Sequence, residues 1–555
     1  MAIAPVPPPV GSVFVPHRSP SRRLRGVTAL LVTLVVLVGC GSGSTQAPSL
    51  PTPAAAADPV VVQTAAGAVR GLVGPGFRVF KGIPYAAPAV GQSRWQPPLP
   101  PVRWDGVRDA TKPGLRCIQN VQSDPDYGRA TSEDCLNLNV WTPDGATPAA
   151  QKPVMVWIHG GGFANGSADI YDARWLATQG DIVVVTINYR LGALGFLAHP
   201  ALARDGDAGN YGLADQQAAL RWVRDNIAGF GGDPARVTIA GESAGAMSVC
   251  DHLAAPASAG LFRAAILQSG PCQAQADRPT AQQVSTDYAA KAGCTDAAVV
   301  AQCLRALPTA ALERPPGYVS VGGDRLPGPV TGTELLPVDP MIAPGLGRVA
   351  RVPVLIGSNG DEYTLFMAVK YLKEHKLPPY PQLLSDTFGA DAAAVAAHYP
   401  LDRYGGDTGL AFSAAITDSE FACPTDKLAT GLTHSAPVYA YEFNDRTAPA
   451  PEGLRLAPFP VGASHSLELR YLFDIGGAPP LNPAQRELSD QMVAYWSQFV
   501  KTGVPDVPGE PQWPQLSADP TAGPRMSLQT GALSITTDFS ARHQCPFWGS
   551  IRGIR

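Results

Sequence analysis

The stretch VTIAGESAG, residues Val237–Gly245, decides the fold of this 555-residue chain. Its first four residues form a short run that is typical of a buried parallel strand. The pattern Gly-x-Ser-x-Gly follows at once, and Ala246–Leu253 can continue it as a helix. The pentapeptide alone could be a structural turn. Between a strand and a helix, however, it predicts a very tight turn that exposes the hydroxyl of Ser243, because its glycines let neighbouring chains approach closely. We therefore expect Ser243 to be a nucleophile.

Further runs with strand character lie on both sides of this turn, and helical patterns alternate with them. The helical pattern is clearest at Gly212–Ile227 and Gln485–Val500. Strands that alternate with helices predict a mostly parallel sheet. No repeat or linker divides the chain after residue 59, so we expect one large α/β domain at 59–555. The clearest strand candidates are Val154–Ile158, Ile182–Ile187, Val237–Ala240, Ala264–Leu267, Val352–Ile356 and Val438–Phe443.

A second motif, HGGGF at residues 159–163, follows one of these strand candidates. Nucleophilic attack on a carbonyl group places negative charge on its oxygen, and each backbone N–H aimed at that oxygen lowers the barrier by about 3 kcal/mol. Successive glycines leave their amides uncovered, so we expect Gly161, Gly162 and Ala244 to donate to this oxyanion. His159 is interpreted as a residue that orients the loop. A flexible loop or a phosphate cradle is the alternative, but no Gly-Lys-Ser/Thr follows, as a phosphate site of this kind requires.

The N-terminal segment has the pattern of a targeting signal. Three arginines between residues 22 and 25 precede an apolar run at 27–38. This run is shorter than the roughly 20 residues that span a bilayer as a helix. It ends in Leu-Val-Gly-Cys40, which resembles the lipobox of bacterial lipoproteins, where the cysteine is acylated. We expect a signal peptide at 1–39 and lipidation at Cys40. An ordinary cleaved signal peptide and a twin-arginine signal are the alternatives.

The residues at 40–58 are rich in Gly, Ser, Pro and Ala, which predicts a flexible tether between the membrane and the body of the protein. The formal charge of −4 gives no reason to expect a nucleic-acid partner. Nine cysteines are present, and eight remain without Cys40, an even number that favours disulfides in an exported chain. Close Cys-x-x-Cys spacing is absent from the sequence, so we expect no metal site.

Together, these motifs resemble those of the type-B carboxylesterases, a family that includes cholinesterases and many bacterial carboxylesterases and lipases. The resemblance extends through nearly all of residues 59–555. It implies an α/β-hydrolase fold, with a large, mostly parallel central sheet flanked by helices and with long loop and helical excursions that form a gorge. The matching motifs are FKGIPYA at 80–86, SEDCLNLN at 132–139, HGGGF at 159–163, NYR at 188–190, GESAG at 241–245, QSG at 268–270, GSNGDE at 357–362 and CPFW at 545–548.

Residue by residue, the resemblance assigns a catalytic triad of Ser243, His465 and Glu362, in the chain order Ser-Glu-His that is expected for this fold. In this chemistry the histidine takes the serine proton and returns it to the leaving alcohol, while the acid fixes the imidazole tautomer. Asp361 is the rival acid. Glu242, beside the nucleophile, matches a position that influences the site electrostatically, although it could be a buried structural carboxylate.

The resemblance also implies three disulfides, Cys117–Cys135, Cys294–Cys303 and Cys423–Cys545. Cys250 and Cys272 are left over and lie on elements that are neighbours in this fold. Both a fourth bridge and a pair of buried thiols, a common state for cysteine, remain open.

The implied function is that of a serine hydrolase that cleaves small carboxylic esters through an acyl-enzyme, with no cofactor. The segment Ile118–Asp134 contains no tryptophan to bind a quaternary ammonium group, so neutral short- to medium-chain esters are expected rather than choline esters. A hydrolase of amides, carbamates or polyesters is the alternative, because these substrates share the acyl-enzyme route. A non-catalytic binding or adhesion module on the same fold is a more distant alternative. The expected location is the cell envelope, through the lipid anchor, or the exterior.

Overall fold

An eleven-stranded sheet forms the centre of the computed structural model, which describes residues 60–120, 130–203, 208–517 and 523–551. These residues belong to one compact unit. The predicted signal peptide, the lipidation site Cys40 and the tether lie outside the described residues. Among the described residues, no helix combines the length and the apolar composition needed to cross a bilayer.

The strands are short, and most are apolar. In chain order they are β1 (Val61–Gln63), β2 (Ala68–Arg70), β3 (Leu72–Gly74), β4 (Phe77–Pro84), β5 (Val107–Asp109), β6 (Arg116–Cys117), β7 (Thr131–Ser132), β8 (Asn137–Pro143), β9 (Lys152–Ile158), β10 (Val183–Ile187), β11 (Gly232–Glu242), β12 (Ala264–Gln268), β13 (Ala276–Asp277), β14 (Val319–Val321), β15 (Asp324–Leu326), β16 (Val330–Thr331), β17 (Val354–Asn359), β18 (Val438–Phe443), β19 (Arg525–Leu528) and β20 (Ser534–Thr536).

The α-helices mostly lie between the strands of the central sheet. They are α1 (Arg174–Thr178), α2 (Gly192–Phe196), α3 (Tyr211–Asn226), α4 (Ala244–Ala254), α5 (Arg278–Lys291), α6 (Val300–Ala306), α7 (Thr364–Glu374), α8 (Tyr380–Phe388), α9 (Ala392–His398), α10 (Thr408–Ile416), α11 (Cys423–Leu432), α12 (Pro483–Thr502), α13 (Phe539–Arg542) and α14 (Cys545–Ser550). A π-helix, Thr417–Ala422, continues α10 into α11.

The expected mostly parallel sheet is confirmed. Seven adjacent strands, from β10 across to β19, run parallel, and antiparallel strands close both edges. The carboxyl ends of parallel strands lie at one edge of such a sheet, where ligands bind. Ser243 directly follows β11, and Glu362 follows β17 by three residues, so the fold brings both to this edge. The strand order is β20-β19-β18-β17-β12-β11-β9-β10-β8-β4-β3.

Both faces of this sheet are buried, which explains why its strands are apolar on both alternations. In β9 the side chains of Val154, Val156 and Ile158 pack into one core, while Met155 and Trp157 pack into another. The first core includes apolar residues of α3 and α4, and the second includes those of α12. The architecture is therefore a three-layer sandwich of helices, sheet and helices.

Local patterns located the central elements well and the antiparallel edge poorly. The predicted helix Gly212–Ile227 corresponds to α3, and the strand candidate Val438–Phe443 has the bounds of β18. The motifs FKGIPYA and SEDCLNLN, which were not predicted as strands, contribute to β4 and β8. These strands include polar and charged residues such as Arg78, Asn137 and Asn139, so they lack the continuous apolar run of a parallel strand.

Four disulfides cross-link the described residues: Cys117–Cys135, Cys250–Cys272, Cys294–Cys303 and Cys423–Cys545. They include the three pairs that the resemblance implies and the fourth pair that the sequence left open. Such a set is typical of a protein that folds outside the reducing cytosol.

Candidate active site

Ser243 lies on the turn between β11 and α4 with φ 55° and ψ −124°, a conformation that costs energy for a residue with a side chain. The neighbouring glycines make this turn possible. A Cβ on Gly241 would lie 2.5 Å from the Gly245 carbonyl carbon and oxygen, and a Cβ on Gly245 would lie 2.0 Å from the Ile158 carbonyl oxygen. The backbone N–H of Ser243 donates to the Gln268 carbonyl at 2.9 Å. Ser243 as a whole residue is half-buried.

The imidazole of His465 is held by Glu362. Its Nδ1 lies 2.6 Å from Oε2 of the carboxylate, and both side chains are buried. The other carboxylate oxygen of Glu362 accepts a hydrogen bond of 2.7 Å from the backbone N–H of Asn359, at the end of β17. These two contacts fix the carboxylate, and with it the ring. Among the hydrogen bonds of the described residues, none joins the Ser243 hydroxyl to His465.

The rival acid Asp361 points elsewhere. Its Oδ2 accepts hydrogen bonds from the Ala463 backbone at 2.9 Å and from Nε of Arg446 at 2.9 Å, and its Oδ1 accepts a third from the same guanidinium at 3.1 Å. Of the two neighbouring acids, only Glu362 contacts the histidine.

Glu242 contacts the opposite nitrogen of the same ring. Its Oε1 lies 3.2 Å from Nε2 of His465 and accepts a hydrogen bond of 2.5 Å from the Ser466 hydroxyl. The side chain of Glu242 is 3% exposed, so its charge acts with little screening by solvent. The histidine therefore lies between two buried carboxyl groups.

These carboxyl groups control the protonation of His465. Burial by itself lowers the pKa of the imidazole, but the charges of Glu242 and Glu362, together with the hydrogen bond to Glu362, outweigh burial and raise it to about 9. Burial raises the pKa of Glu242, and the nearby imidazole and the Ser466 hydroxyl oppose that shift.

A third carboxyl group, Glu468, lies behind this arrangement and is completely buried. It accepts hydrogen bonds from the Asn359 amide at 2.6 Å and the Gln268 amide at 3.2 Å. Burial, reinforced by the charges of Glu242 and Glu362, raises the pKa of Glu468 to about 8. Sequence reasoning assigned Glu468 no role. Its position three residues after His465 is the only feature of the sequence that could have indicated a place near the site.

The glycine loop adjoins the serine turn. A Cβ on Gly160 would lie 2.7 Å from Oε2 of Glu242 and 3.0 Å from the Ser243 Cβ, so this position tolerates no side chain. Gly161 and Gly162 adopt φ values of 98° and 60°. Within the described part of the chain, neither of their backbone N–H groups donates a hydrogen bond. Ala244 is the first residue of α4, where backbone N–H groups have no partner within the helix.

His159 supports this loop from behind. Its Nδ1 lies 2.8 Å from the Gly160 carbonyl oxygen, and its ring stacks on Tyr189 with 4.5 Å between centroids. The Tyr189 hydroxyl donates to the His159 carbonyl at 2.8 Å. Burial lowers the pKa of His159 to about 4, so the ring is neutral at pH 7. These contacts agree with the interpretation that His159 orients the loop.

Two phenylalanines pack against the ring of His465. The rings of Phe366, on α7, and Phe421, on the π-helix, lie 5.2 and 5.3 Å from the His465 ring. They exclude water from one side of the imidazole, which strengthens its interaction with the carboxyl groups.

A mostly parallel sheet, with a serine on a strained turn after one of its strands and a histidine-acid pair at the same edge, defines an α/β-hydrolase. The chain belongs to the carboxylesterase family, because the model of that family matches residues 58–548. The resemblance inferred from the motifs is thereby confirmed.

Curated relatives are similar to most of the chain. A fumonisin B1 esterase of Sphingopyxis macrogoltabida is 37% identical over 515 residues, covering 89% of this chain and 89% of its own. An acylcarnitine hydrolase of Mus musculus is 35% identical over 508 residues, covering 83% and 87%. A cocaine esterase of Oryctolagus cuniculus is 35% identical over 474 residues, covering 80% and 86%. The expectation of an enzyme is thus confirmed: the protein is a carboxylic ester hydrolase of the serine type.

Proposed function

We propose that the protein cleaves its esters through an acyl-enzyme on Ser243, with His465 as general base and acid and Glu362 as the orienting carboxylate. The observation that supports this most directly is the 2.6 Å contact between His465 and Glu362 at the edge of the sheet where Ser243 emerges. In enzymes without bound substrate, the hydrogen bond between the catalytic serine and histidine is often long, and it shortens only when substrate binds.

The reaction proceeds in two halves. The Ser243 oxygen bonds to the ester carbonyl carbon while His465 takes the hydroxyl proton, and the imidazole then gives this proton to the departing alcohol. Water then attacks the carbonyl carbon of the acyl-enzyme while His465 takes its proton. The bond to the Ser243 oxygen breaks, the imidazole returns the proton to this oxygen, and the carboxylic acid leaves. The backbone N–H groups of Gly161, Gly162 and Ala244 stabilise the oxyanion of both tetrahedral intermediates.

The substrate range that we propose is broad and centres on small esters with neutral short- to medium-length chains. A broad range is supported by the relatives, because an acylcarnitine hydrolase, a fumonisin B1 esterase and a cocaine esterase are named for three different compounds. Amides, carbamates and polyesters form the second candidate class, since the same serine chemistry cleaves them.

We also infer that the protein is exported and anchored to the membrane by a lipid on Cys40. The lipobox-like ending of the N-terminal apolar run supports the anchor, and the four disulfides support export. Metabolic labelling with an azido fatty acid should modify the full chain, and Cys40→Ser should abolish the label. Equal labelling of both would refute the anchor.

Hydrolysis of p-nitrophenyl esters from acetate to palmitate tests the enzymatic proposal. Wild-type protein should turn over the shorter esters, and Ser243→Ala should lose this activity, while Ser534→Ala, on an exposed edge strand, should retain it. Activity in Ser243→Ala equal to wild type would reject Ser243 as the nucleophile. Turnover of anilides but not esters by the wild type would favour the second candidate class.

A further inference from the structure

The π-helix Thr417–Ala422 lies directly beside the catalytic residues. The ring of Phe421 is 5.3 Å from that of His465, and the Thr417 hydroxyl accepts a hydrogen bond of 3.1 Å from the backbone N–H of Tyr363, the residue after Glu362. A π-helical segment is rare in proteins and frequently occurs at functional sites. Phe421 and Thr417 therefore place one side of this segment against His465 and the residue after Glu362, and we call this side the wall of the site.

Glu420 precedes Phe421 in this wall and is held by Gln273. The side-chain Nε2 of Gln273 donates to the Glu420 carbonyl oxygen at 2.8 Å and to its carboxylate Oε2 at 3.1 Å. Gln273 lies on the loop after β12, and the last residue of β12, Gln268, accepts the backbone N–H of Ser243. Glu420 thus connects a segment that contacts His465 with a segment that begins beside Ser243.

The Cys250–Cys272 disulfide anchors this loop. Cys250 lies on α4, the helix that Ser243 precedes, and Cys272 is the residue immediately before Gln273. A Cβ on Gly270, in the same loop, would lie 2.7 Å from the Cβ of Ala246 on α4. The loop is therefore packed against the helix of the nucleophile, which holds Gln273 at a constant position relative to Ser243.

The acceptor groups of this pair have no cationic partner. Among the described residues, no ion pair includes Glu420, and the side-chain oxygen of Gln273 is buried without a hydrogen bond. Burial raises the pKa of Glu420 to about 7, so a large share of the carboxyl groups is ionised at neutral pH. The buried amide oxygen of Gln273 costs free energy until a donor satisfies it. The half-buried carboxylate of Glu420 accepts one hydrogen bond from Gln273 and has the capacity to accept more.

We propose that Glu420, with Gln273, recognises a protonated amine on the substrate, so that between two esters of equal size the enzyme prefers the one that carries an N–H ammonium group. This proposal rests on the proposed function and adds a preference within its broad range of small esters, neutral esters remaining substrates. A primary, secondary or tertiary ammonium group supplies both positive charge and an N–H donor, which these two acceptors match. A quaternary ammonium group supplies charge but no donor.

Pairs of esters that differ in one atom or group test this selectivity. In 2-(dimethylamino)ethyl butyrate a protonated nitrogen replaces the branching CH of 3-methylbutyl butyrate, which places the amine on the alcohol side. The p-nitrophenyl esters of 6-aminohexanoate and heptanoate place it on the acyl side. For at least one pair, the wild type should prefer the amine, and the Glu420→Gln variant should lower the ratio of kcat/KM values by about tenfold, because a charge-assisted hydrogen bond is lost.

Matched variants separate recognition from stability. Glu420→Asp keeps the charge and should retain much of the preference, and Glu487→Gln removes an exposed carboxylate on α12 and should change nothing. Turnover of the neutral esters by Glu487→Gln should remain within about twofold of the wild type. The wild type should prefer butyrylcholine over the neutral 3-methylbutyl butyrate less strongly than it prefers the dimethylamino ester. Unchanged ratios for both pairs in Glu420→Gln would overturn the proposal. A wild type that cleaved none of the four esters would instead overturn the proposed function.

Discussion

Nε2 of His465 lies 3.2 Å from Oε1 of Glu242, the residue immediately before Ser243. In the proposed mechanism this nitrogen receives the proton of Ser243, and it faces a carboxyl group while Nδ1 is bound to Glu362. This arrangement stabilises the protonated imidazole, the form that cannot act as a base. It also stabilises the positive charge that the ring acquires in the transition state.

The pH dependence of the reaction should report this contact. Neutral His465 is needed for attack and exists above its pKa, which the carboxyl groups raise to about 9, so kcat/KM should fall as pH decreases through that value. Glu242→Gln removes one of the charges that raise this pKa. Its acidic limb should therefore move to lower pH, which a profile of kcat/KM for a neutral ester between pH 5 and 10 will show. An acidic limb at the wild-type position would contradict this role of Glu242.

The two neighbouring acids should differ sharply in their effect on turnover. Glu362→Gln removes the negative charge that faces Nδ1 of the imidazole and fixes its tautomer, and should lower kcat by roughly 10⁴-fold. Asp361→Asn weakens an ion pair with Arg446, whose side chain is largely exposed, and should change kcat by less than about tenfold. Steady-state kinetics with matched thermal melts checks both variants. Equal losses would mean that Asp361 is also needed for catalysis.

Glu468 should make the folded protein less stable as pH rises toward about 8. Its folded pKa is raised to about 8, so it contributes stability at pH values below its unfolded pKa and loses that contribution as pH rises through the folded value. Glu468→Gln removes this titration. We expect its Tm to fall less than that of the wild type between pH 6 and pH 9 in calorimetry. Parallel changes in the two proteins would show that Glu468 does not titrate in this range.

The disulfides should contribute unequally to stability. Cys423–Cys545 spans 122 residues and Cys294–Cys303 only 9, and a longer loop restricts the unfolded chain more. Replacing both cysteines of the first bridge by serine should cost about 2 kcal/mol more than the same change at the second, by the loop-entropy relation. Urea unfolding of the two double variants measures the difference. A larger loss at Cys294–Cys303 would reject loop entropy as the main contribution.

Sequence reasoning was most successful where the determining interactions are local. The alternation of apolar runs and helical patterns predicted the parallel strands around β11 and the helix α3 because these elements are buried on both faces of a sheet or along one face of a helix. It missed β4 and β8, in which polar residues such as Asn139 are satisfied by distant partners such as Thr186. No local pattern shows such a partner.

By itself, the sequence determined the elbow at Ser243, the glycine loop and the family, because a tight turn and uncovered amides need particular residues at adjacent positions. Only the tertiary structure decided that Glu242 contacts Nε2 of His465 and the Ser466 hydroxyl, that Glu468 lies behind them and that Glu420 meets Gln273. Glu242 and Ser466 are 224 positions apart, and Gln273 and Glu420 are 147 apart. Charges and hydrogen bonds act through space over a few ångströms, so their partners are chosen by the packing of strand ends rather than by their order along the chain.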